Sequence, residues 1–551
     1  MHIVTGAAPS KNVQTPGAAI LAASSRRQDA GAPIDAWRAA HRRLYEHLCA
    51  TTKEGDQPTL EDRQPLYQAV AHGCQAGLQK EVFWKPYMDV IRRRQEAYSV
   101  RKLGCFGTEL GAIASFFDQP WTRPSPGLNE PWQVSWLVNA AAFCLRALGR
   151  LTEAVEPMRI SGEMDVEVEA WKGAAASYSN LSELELTLGE VAEAEGDAEQ
   201  SVTYADRSGD KRELMEDITT HADALHQAGR RAEAQTRFRE AEQMHAKDQP
   251  DYPLLYSLRG FMYCHLLLAA PERAAWQICL GSAGYQPAPV GNLPTGTGAS
   301  APSPSGRRST PSASPVASGR LPDATGRLPV LPLIDSCRAV SQRAAQTLKW
   351  VTDAKLGLLT IALDHLTLGR ASLYAAILER TGAPVSDPAS ASSPQRAGSE
   401  IGAQDALQTA RRELDAAGAR LRGAGTTHHI PHDLLTRAWC SFAEAMAHKL
   451  QGQEKQVVER GPMRLFMADI HLYRASLFGR RERVISDQLS VASDDKYPWE
   501  SPQADLAAAR KLIEAFNYWR RKEELEVAEK AAKSWAPQAG APAQDGSSAL
   551  Q

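Results

Sequence analysis

The stretch HQAGRRAEAQTRF, residues 226 to 238, sets Gly229 inside a run of otherwise strong helix formers. The same arrangement occurs in RALGRLTEAVEPM around Gly149 and in LTLGEVAEAEGDA around Gly189. The three glycines therefore recur at a constant interval of forty positions. A glycine at the end of a helix can take the left-handed backbone conformation that stops the helix and turns the chain. Its even recurrence predicts a series of helix hairpins.

Aligning the three units on their glycines strengthens this reading. Seven positions before the glycine stand Ala142, Ser182 and Ala222; five after it, Ala154, Ala194 and Ala234; twelve after it, Ser161, Ser201 and Ala241. Small side chains at fixed offsets mark where two helix axes approach closely. Leu145, Glu185 and Leu225 precede the glycine by four, and Met158, Ala198 and Phe238 follow it by nine. A lone hairpin cannot bury its apolar side, so such units stack into arrays. The expected fold is all-α, an α-solenoid of antiparallel helix hairpins in units of about forty residues.

Composition agrees. Lys and Arg number 62 against 65 Asp and Glu, a net charge of -3, which offers no overall basic excess for nucleic acid or an anionic membrane. Alternating β-branched runs bounded by turns are almost missing. The eight cysteines are scattered without a C-x-x-C pair and mostly sit in apolar helical runs, so they read as reduced core thiols. With no apolar run near the ~18 residues of a membrane span, a cytoplasmic location is expected. GAAILAA at 17–23 is too short and too weakly flanked for a signal peptide.

Gly/Pro/Ser-rich composition divides the chain. Residues 1–33 read as a disordered start and 34–281 as an N-terminal helical repeat block, clearest over 130–245. A disordered linker follows at 282–332, a helical hairpin at 333–380 and a disordered insertion at 381–402. A C-terminal repeat block occupies 403–535 and a disordered tail 536–551; the unit near 440–462 looks shortened.

The glycine turn flanked by small residues resembles the tetratricopeptide repeat, in a form longer than its usual unit and without the usual proline between units. Longer stretches, among them SNLSELELTLGEV, ADALHQAGRRAEAQTRFREAE and MRLFMADIHLYRASL, resemble the repeat-rich C-terminal halves of bacterial STAND-type signalling ATPases. AWRAAHRRLYEHL resembles the segment joining the nucleotide-binding module to those repeats. No G-x-x-x-x-G-K-[ST] occurs, so the phosphate-cradling loop of such ATPases is missing from this sequence. The resemblance implies a sensor arm without catalytic residues.

Individual residues carry little chemistry. THHIPHD gathers His428, His429, His432 and Asp433, all metal-ligand types, but Pro431 interrupts a shared helix face. A loop followed by a helix cap at Asp433 or a neighbour is the preferred reading, with a metal hydrolase as the alternative. His365 in Asp364-His365 and His471 in Asp469-x-His471 read as structural histidines on packed helices rather than members of acid/base pairs, and Arg92-Arg93-Arg94 and Arg42-Arg43 read as solvated helix faces. Trp121, Trp132 and Trp136 flank a Pro-rich loop and are expected to cap the core of the array. No G-x-S-x-G, H-E-x-x-H or dinucleotide loop is present, so neither catalysis nor a cofactor is expected.

In the family the resemblance points to, the first helix of each hairpin lines a concave groove. The resemblance places Trp136, Asn139, Phe143 and Arg146 there from the first unit, Ser179 and Glu183 from the second, and Glu216, Thr219, Asp223 and His226 from the third. The expected function is a non-catalytic protein-protein interaction scaffold that holds a protein or peptide, with basic residues of the ligand toward the third unit. The alternative is the ligand-recognition arm of a split STAND-type ATPase, controlling a nucleotide-binding partner.

Overall fold

The computed structural model describes residues 34–53, 55–128, 130–279, 330–381, 394–443, 462–478 and 499–533. The expected disordered start and tail lie outside the described residues, as do most of both insertions and of the shortened unit at 440–462. Residues 394–402 differ from expectation. They begin the helix Pro394–Ala424 rather than belonging to an unstructured insertion. Pro394 occupies the first helical position, where its missing N–H breaks no bond.

Helices α1 (Ile34–Thr51) and α2 (Leu60–Gln75) form the first hairpin. Thr59 and Asp62 close a reciprocal capping box at the start of α2. Short α3 (Gln79–Val82) runs into a π-helical segment, Phe83–Ile91, followed by α4 (Tyr98–Arg101) and α5 (Phe106–Ala114). Strands β1 (Phe117–Gln119) and β2 (Arg123–Pro124) make the one small antiparallel sheet among the described residues.

The three glycine-centred units are consecutive hairpins: α6 (Pro131–Ala147) with α7 (Leu151–Glu167), α8 (Trp171–Leu188) with α9 (Val191–Ser208), and α10 (Lys211–Gln227) with α11 (Arg231–Asp248). Gly149, Gly189 and Gly229 all take positive φ, +79°, +94° and +80°. The residue after each glycine donates its N–H to the carbonyl five back, on Leu145, Glu185 and Leu225, at 2.9 Å in every unit. All nine small positions of the alignment are fully buried. The Ser182 hydroxyl donates to the Ala194 carbonyl at 2.7 Å, so the two helices of that hairpin meet where the small residues predict.

The array continues through α12 (Ser257–Leu267), α13 (Ala269–Cys279), α14 (Val330–Asp353), α15 (Leu358–Thr381) and α16 (Pro394–Ala424). It ends with α17 (Ile430–Ala443), α18 (Arg464–Phe478), α19 (Pro502–Ala515) and α20 (Lys522–Ala532). Neighbours in sequence pack on one another throughout, an all-α solenoid. No helix among the described residues is long and apolar enough to cross a membrane.

The C-terminal helices also return to the N-terminal hairpins. The 3₁₀ turn Thr427–His429 meets α6, α18 meets α8, and the 3₁₀ turn Trp519–Arg521 meets α10. Each of these docks on a turn glycine. A Cβ on Gly149 would lie 3.0 Å from Thr427 Oγ1, one on Gly189 2.8 Å from Arg464 Cβ, and one on Gly229 3.0 Å from Trp519 Cβ. Thr427 Oγ1 donates to the Ala147 carbonyl at 2.9 Å, capping the end of α6. A shared apolar cluster joins Leu186, Val191 and Ala224 to Leu465, Leu506 and Tyr518. The face expected to be an open groove is thus covered at the ends of α6, α8 and α10 by the chain's own C-terminal block.

Candidate functional site

The predicted groove residues fall into two sets. Most of those outside the cavity described below are tied into the fold. Trp136 packs against Phe83 and Tyr87, with the Arg92 guanidinium 4.9 Å from its ring. Asn139 donates to Ser177 Oγ at 2.5 Å, and the Ser179 and Thr220 hydroxyls lie 3.0 Å apart. Glu216 pairs with Arg212 and Arg259, and Thr219 bonds back to the Glu216 carbonyl. Phe143 stays 38% exposed beside Phe106. The aromatic cap expected of Trp132 and Trp136 is present, built with Phe83, Trp84, Tyr87 and Phe116; Trp121 instead packs on Phe117.

Arg92 corrects the reading of the basic triplet. It is inside, 2.6 Å from the fully buried carboxylate of Glu109, which also accepts from Tyr67 and Tyr87. Arg93 and Arg94 both have positive φ, which breaks the continuous helix that the solvated-face reading assumed.

The second set converges. Arg146, Glu183 and Asp223, near the ends of α6, α8 and α10, line an inner cavity of about 110 Å³. His265 of α12, Arg370 of α15, His428 and His429, His432 of α17, Asp469 and Tyr473 of α18, and Tyr518, Arg520 and Arg521 line its other sides. Such a volume holds several water molecules. Arg146 and His226 both precede their turn glycine by three, Glu183 and Asp223 by six, so the repeat itself delivers equivalent positions to one place.

One wall is an ion network. Glu272 of α13 accepts from Arg520 at 2.8 Å, from Arg521 at 3.0 Å and from the Tyr473 hydroxyl at 3.1 Å. Arg521 also grips Asp469 with Nε at 2.8 Å and Nη2 at 3.2 Å, and the Tyr518 hydroxyl donates to Asp469 at 3.3 Å. Burial alone would raise the Glu272 carboxyl; Arg521, Arg520 and Arg370 outweigh it and hold it well below the usual range. Asp469 serves this network, while His471, read as a structural histidine on a packed helix, pairs with Asp505 at 2.6 Å. Likewise Asp364 accepts from Thr347 and His365 meets Glu413 at 2.7 Å.

The opposite wall is rich in histidine. His428, His432 and His265 are held neutral by burial, with nearby histidine and arginine charges adding to it; burial takes His429 down to about 3. Arg146 bonds Glu183 at 2.6 Å and has Nη2 3.4 Å from His428 Nε2. Asp433, expected near a helix cap, lies inside the first turn of α17 and pairs with Arg437 at 2.8 Å.

Burial pushes the Asp223 carboxyl up to about 6, although the Gln227 amide donates to it at 2.9 Å. Beside it, His226 is fully buried with no hydrogen-bond partner at either ring nitrogen. Arg146 Nε and Nη1, His428 Nδ1 and Arg520 Nε are likewise buried without partners.

The resemblance to tetratricopeptide repeats named Arg146, Glu183 and Asp223 as groove positions. It missed Glu272, Arg370 and the Arg520–Arg521 pair, which lie in segments with no shared period. Comparison with protein-family models finds none that matches this chain, and a search of curated proteins finds no match either.

Proposed function

We propose that the chain is a non-catalytic recognition module whose binding site is the inner cavity rather than an open groove. One observation carries this reading: charged and polar side chains from both halves of the chain meet around a cavity, and several of their buried polar atoms lack partners. Each such atom costs about 1–3 kcal/mol when left unpaired, so a bound species that satisfies them is favoured. A ligand held there bridges α6, α8 and α10 to α17, α18 and the Trp519–Arg521 turn, and stabilises their docking by mass action. This is the behaviour of a sensor arm, which the resemblance to STAND-type ATPases supports. A nucleotide-binding partner would then read the docked state. The scaffold reading, with a protein partner, keeps its place for surfaces outside the cavity; an extended peptide along α6, α8 and α10 would have to displace the C-terminal block.

The test is native mass spectrometry of the full chain purified from its own cells, alongside affinity capture of its partner. Wild type retains a small bound species and captures a partner. The paired variant Arg146→Met/Glu183→Met removes both members of one ion pair, which leaves no orphaned charge. It should lose the bound species and change partner capture. A folded variant that keeps both unchanged overturns the cavity as the recognition site. Turnover of a small substrate by the chain alone overturns the non-catalytic reading.

A further inference from the structure

Asp223 and His265 of the cavity wall and the buried His226 beside them form a set that goes further than general ligand recognition. Asp223 and His226 stand three apart on α10, so they share one face of that helix. His265 approaches from α12, its ring 5.4 Å from that of His226 and nearly perpendicular to it. One ligand atom from each of the three lies within 4.8 Å of the others. A tetrahedral ion with bonds of ~2.0–2.1 Å holds its ligands roughly 3.3 Å apart, so small side-chain rotations close the set.

We infer that Asp223, His226 and His265 form a mononuclear site for a transition-metal ion of the zinc class, with its remaining coordination position turned to the cavity. This names the ligand class for the cavity proposed above and rests on that reading for its role.

Three features converge. His226 is entirely buried, and neither ring nitrogen has a hydrogen-bond partner, an arrangement that a metal bond would satisfy. Gln227 donates to Asp223 Oδ1, which orients the carboxylate and leaves the other oxygen for an ion. Two imidazoles and one carboxylate, three protein ligands with an open fourth position, is a donor set suited to zinc-class ions and not to magnesium or calcium.

The nearby charges do not defeat the site. Arg520, Arg521, Arg231 and Arg370 are the arginines whose charge reaches His226 or His265, and each is held in an ion pair: the first two by Glu272 at 2.8 and 3.0 Å, Arg231 by Glu523 at 3.1 Å and Arg370 by Glu272 at 3.7 Å. Arg520 and Arg521 favour a small anion as the fourth ligand, since metal and guanidinium would attract it together. The site also couples to the fold: α10 meets the Trp519–Arg521 turn, so an ion held by α10 and α12 sits beside the junction of the two halves.

Metal-stripped full-length chain titrated with Co²⁺ tests this. One ion per chain should bind, with the visible bands of a four- or five-coordinate nitrogen/oxygen site, and Zn²⁺ should displace it. X-ray absorption of that sample should show two imidazoles; this needs no variant. Asp223→Asn and His265→Gln should each weaken Co²⁺ binding by about 100-fold or more, since even outer-shell changes reach that range. His471→Gln, whose ring pairs with Asp505 outside the cavity, should retain it. Absence of Co²⁺ binding by folded wild type, or binding indifferent to both ligand variants, overturns the metal site. If native mass spectrometry still shows a bound organic species sensitive to Arg146→Met/Glu183→Met, the cavity reading survives that failure.

Discussion

Gly189 lies against Arg464: a side chain at Gly189 would place its Cβ 2.8 Å from the Cβ of Arg464. The turn that ends α8 is therefore also the floor on which α18 stands, and Arg464 fastens the contact through an ion pair with Glu190. One residue type answers two demands here, a left-handed backbone and a close approach between distant parts of the chain.

The two demands can be separated. Gly209 ends α9 with φ +70° and has no neighbour within 4 Å of an added Cβ. Gly209→Ala should cost only the left-handed strain, about 1–2 kcal/mol. Gly189→Ala meets the same strain and the Arg464 clash, so its loss should be distinctly larger. Equal losses by chemical denaturation would show that α18 does not dock on this turn.

Glu272 pairs with both Arg520 and Arg521. Glu272→Ala leaves the buried Arg520 guanidinium without this carboxylate, while Arg521 keeps Asp469, and should destabilise by about 3–5 kcal/mol. Limited proteolysis should then cut first near α20, which the network anchors. A variant as stable as wild type would mean that the C-terminal block is held by apolar packing alone.

Asp217, on α10 but away from the cavity, is pushed up to about 8, mainly by burial, with Glu213 adding and Ser179 opposing. A raised folded value means that the native state holds a proton the unfolded chain has lost. The group's contribution is complete below about 3.8, the ordinary value for the side chain, and is lost as pH climbs through about 8. Asp217→Asn resembles the protonated form and keeps its contribution at every pH. Its melting temperature relative to wild type should therefore rise from pH 4 to pH 8. A constant difference would remove the buried proton.

His429 works in the opposite sense. Burial lowers it to about 3, so the native state stays neutral while the unfolded chain takes up a proton below about 6.5. Its contribution is present above about 6.5 and is lost as pH falls toward 3. Arg146 is the charge that faces it. His429→Gln should narrow the gap to wild type as the solution is acidified from neutral. Parallel acid titrations of the two proteins would refute this.

Much of this architecture was legible in residue order because its causes are local and repeated. A glycine every forty positions ends a helix wherever it stands, and small residues at fixed offsets let two helices touch. Those rules located the turns at Gly149, Gly189 and Gly229 and all nine buried small positions, whereas Arg146, Glu183 and Asp223 were named only as groove positions of the family the chain resembles. Arg92 was misread because a basic triplet in sequence looks solvated until the π-helical segment and the left-handed residues behind it turn one arginine inward.

What tertiary structure alone decided is the fate of the groove. The return of Thr427, Arg464 and Trp519 to the three turn glycines pairs residues 275 or more positions apart, and no period in the chain announces it. The same holds for Glu272 with Arg521 and for His226 with His265, whose meanings come from partners on other helices. Periodicity can specify which face of a helix is buried, because that depends on neighbours three and four residues away. Which distant surface covers that face, and which charges then find one another, depends on how the whole stack curves.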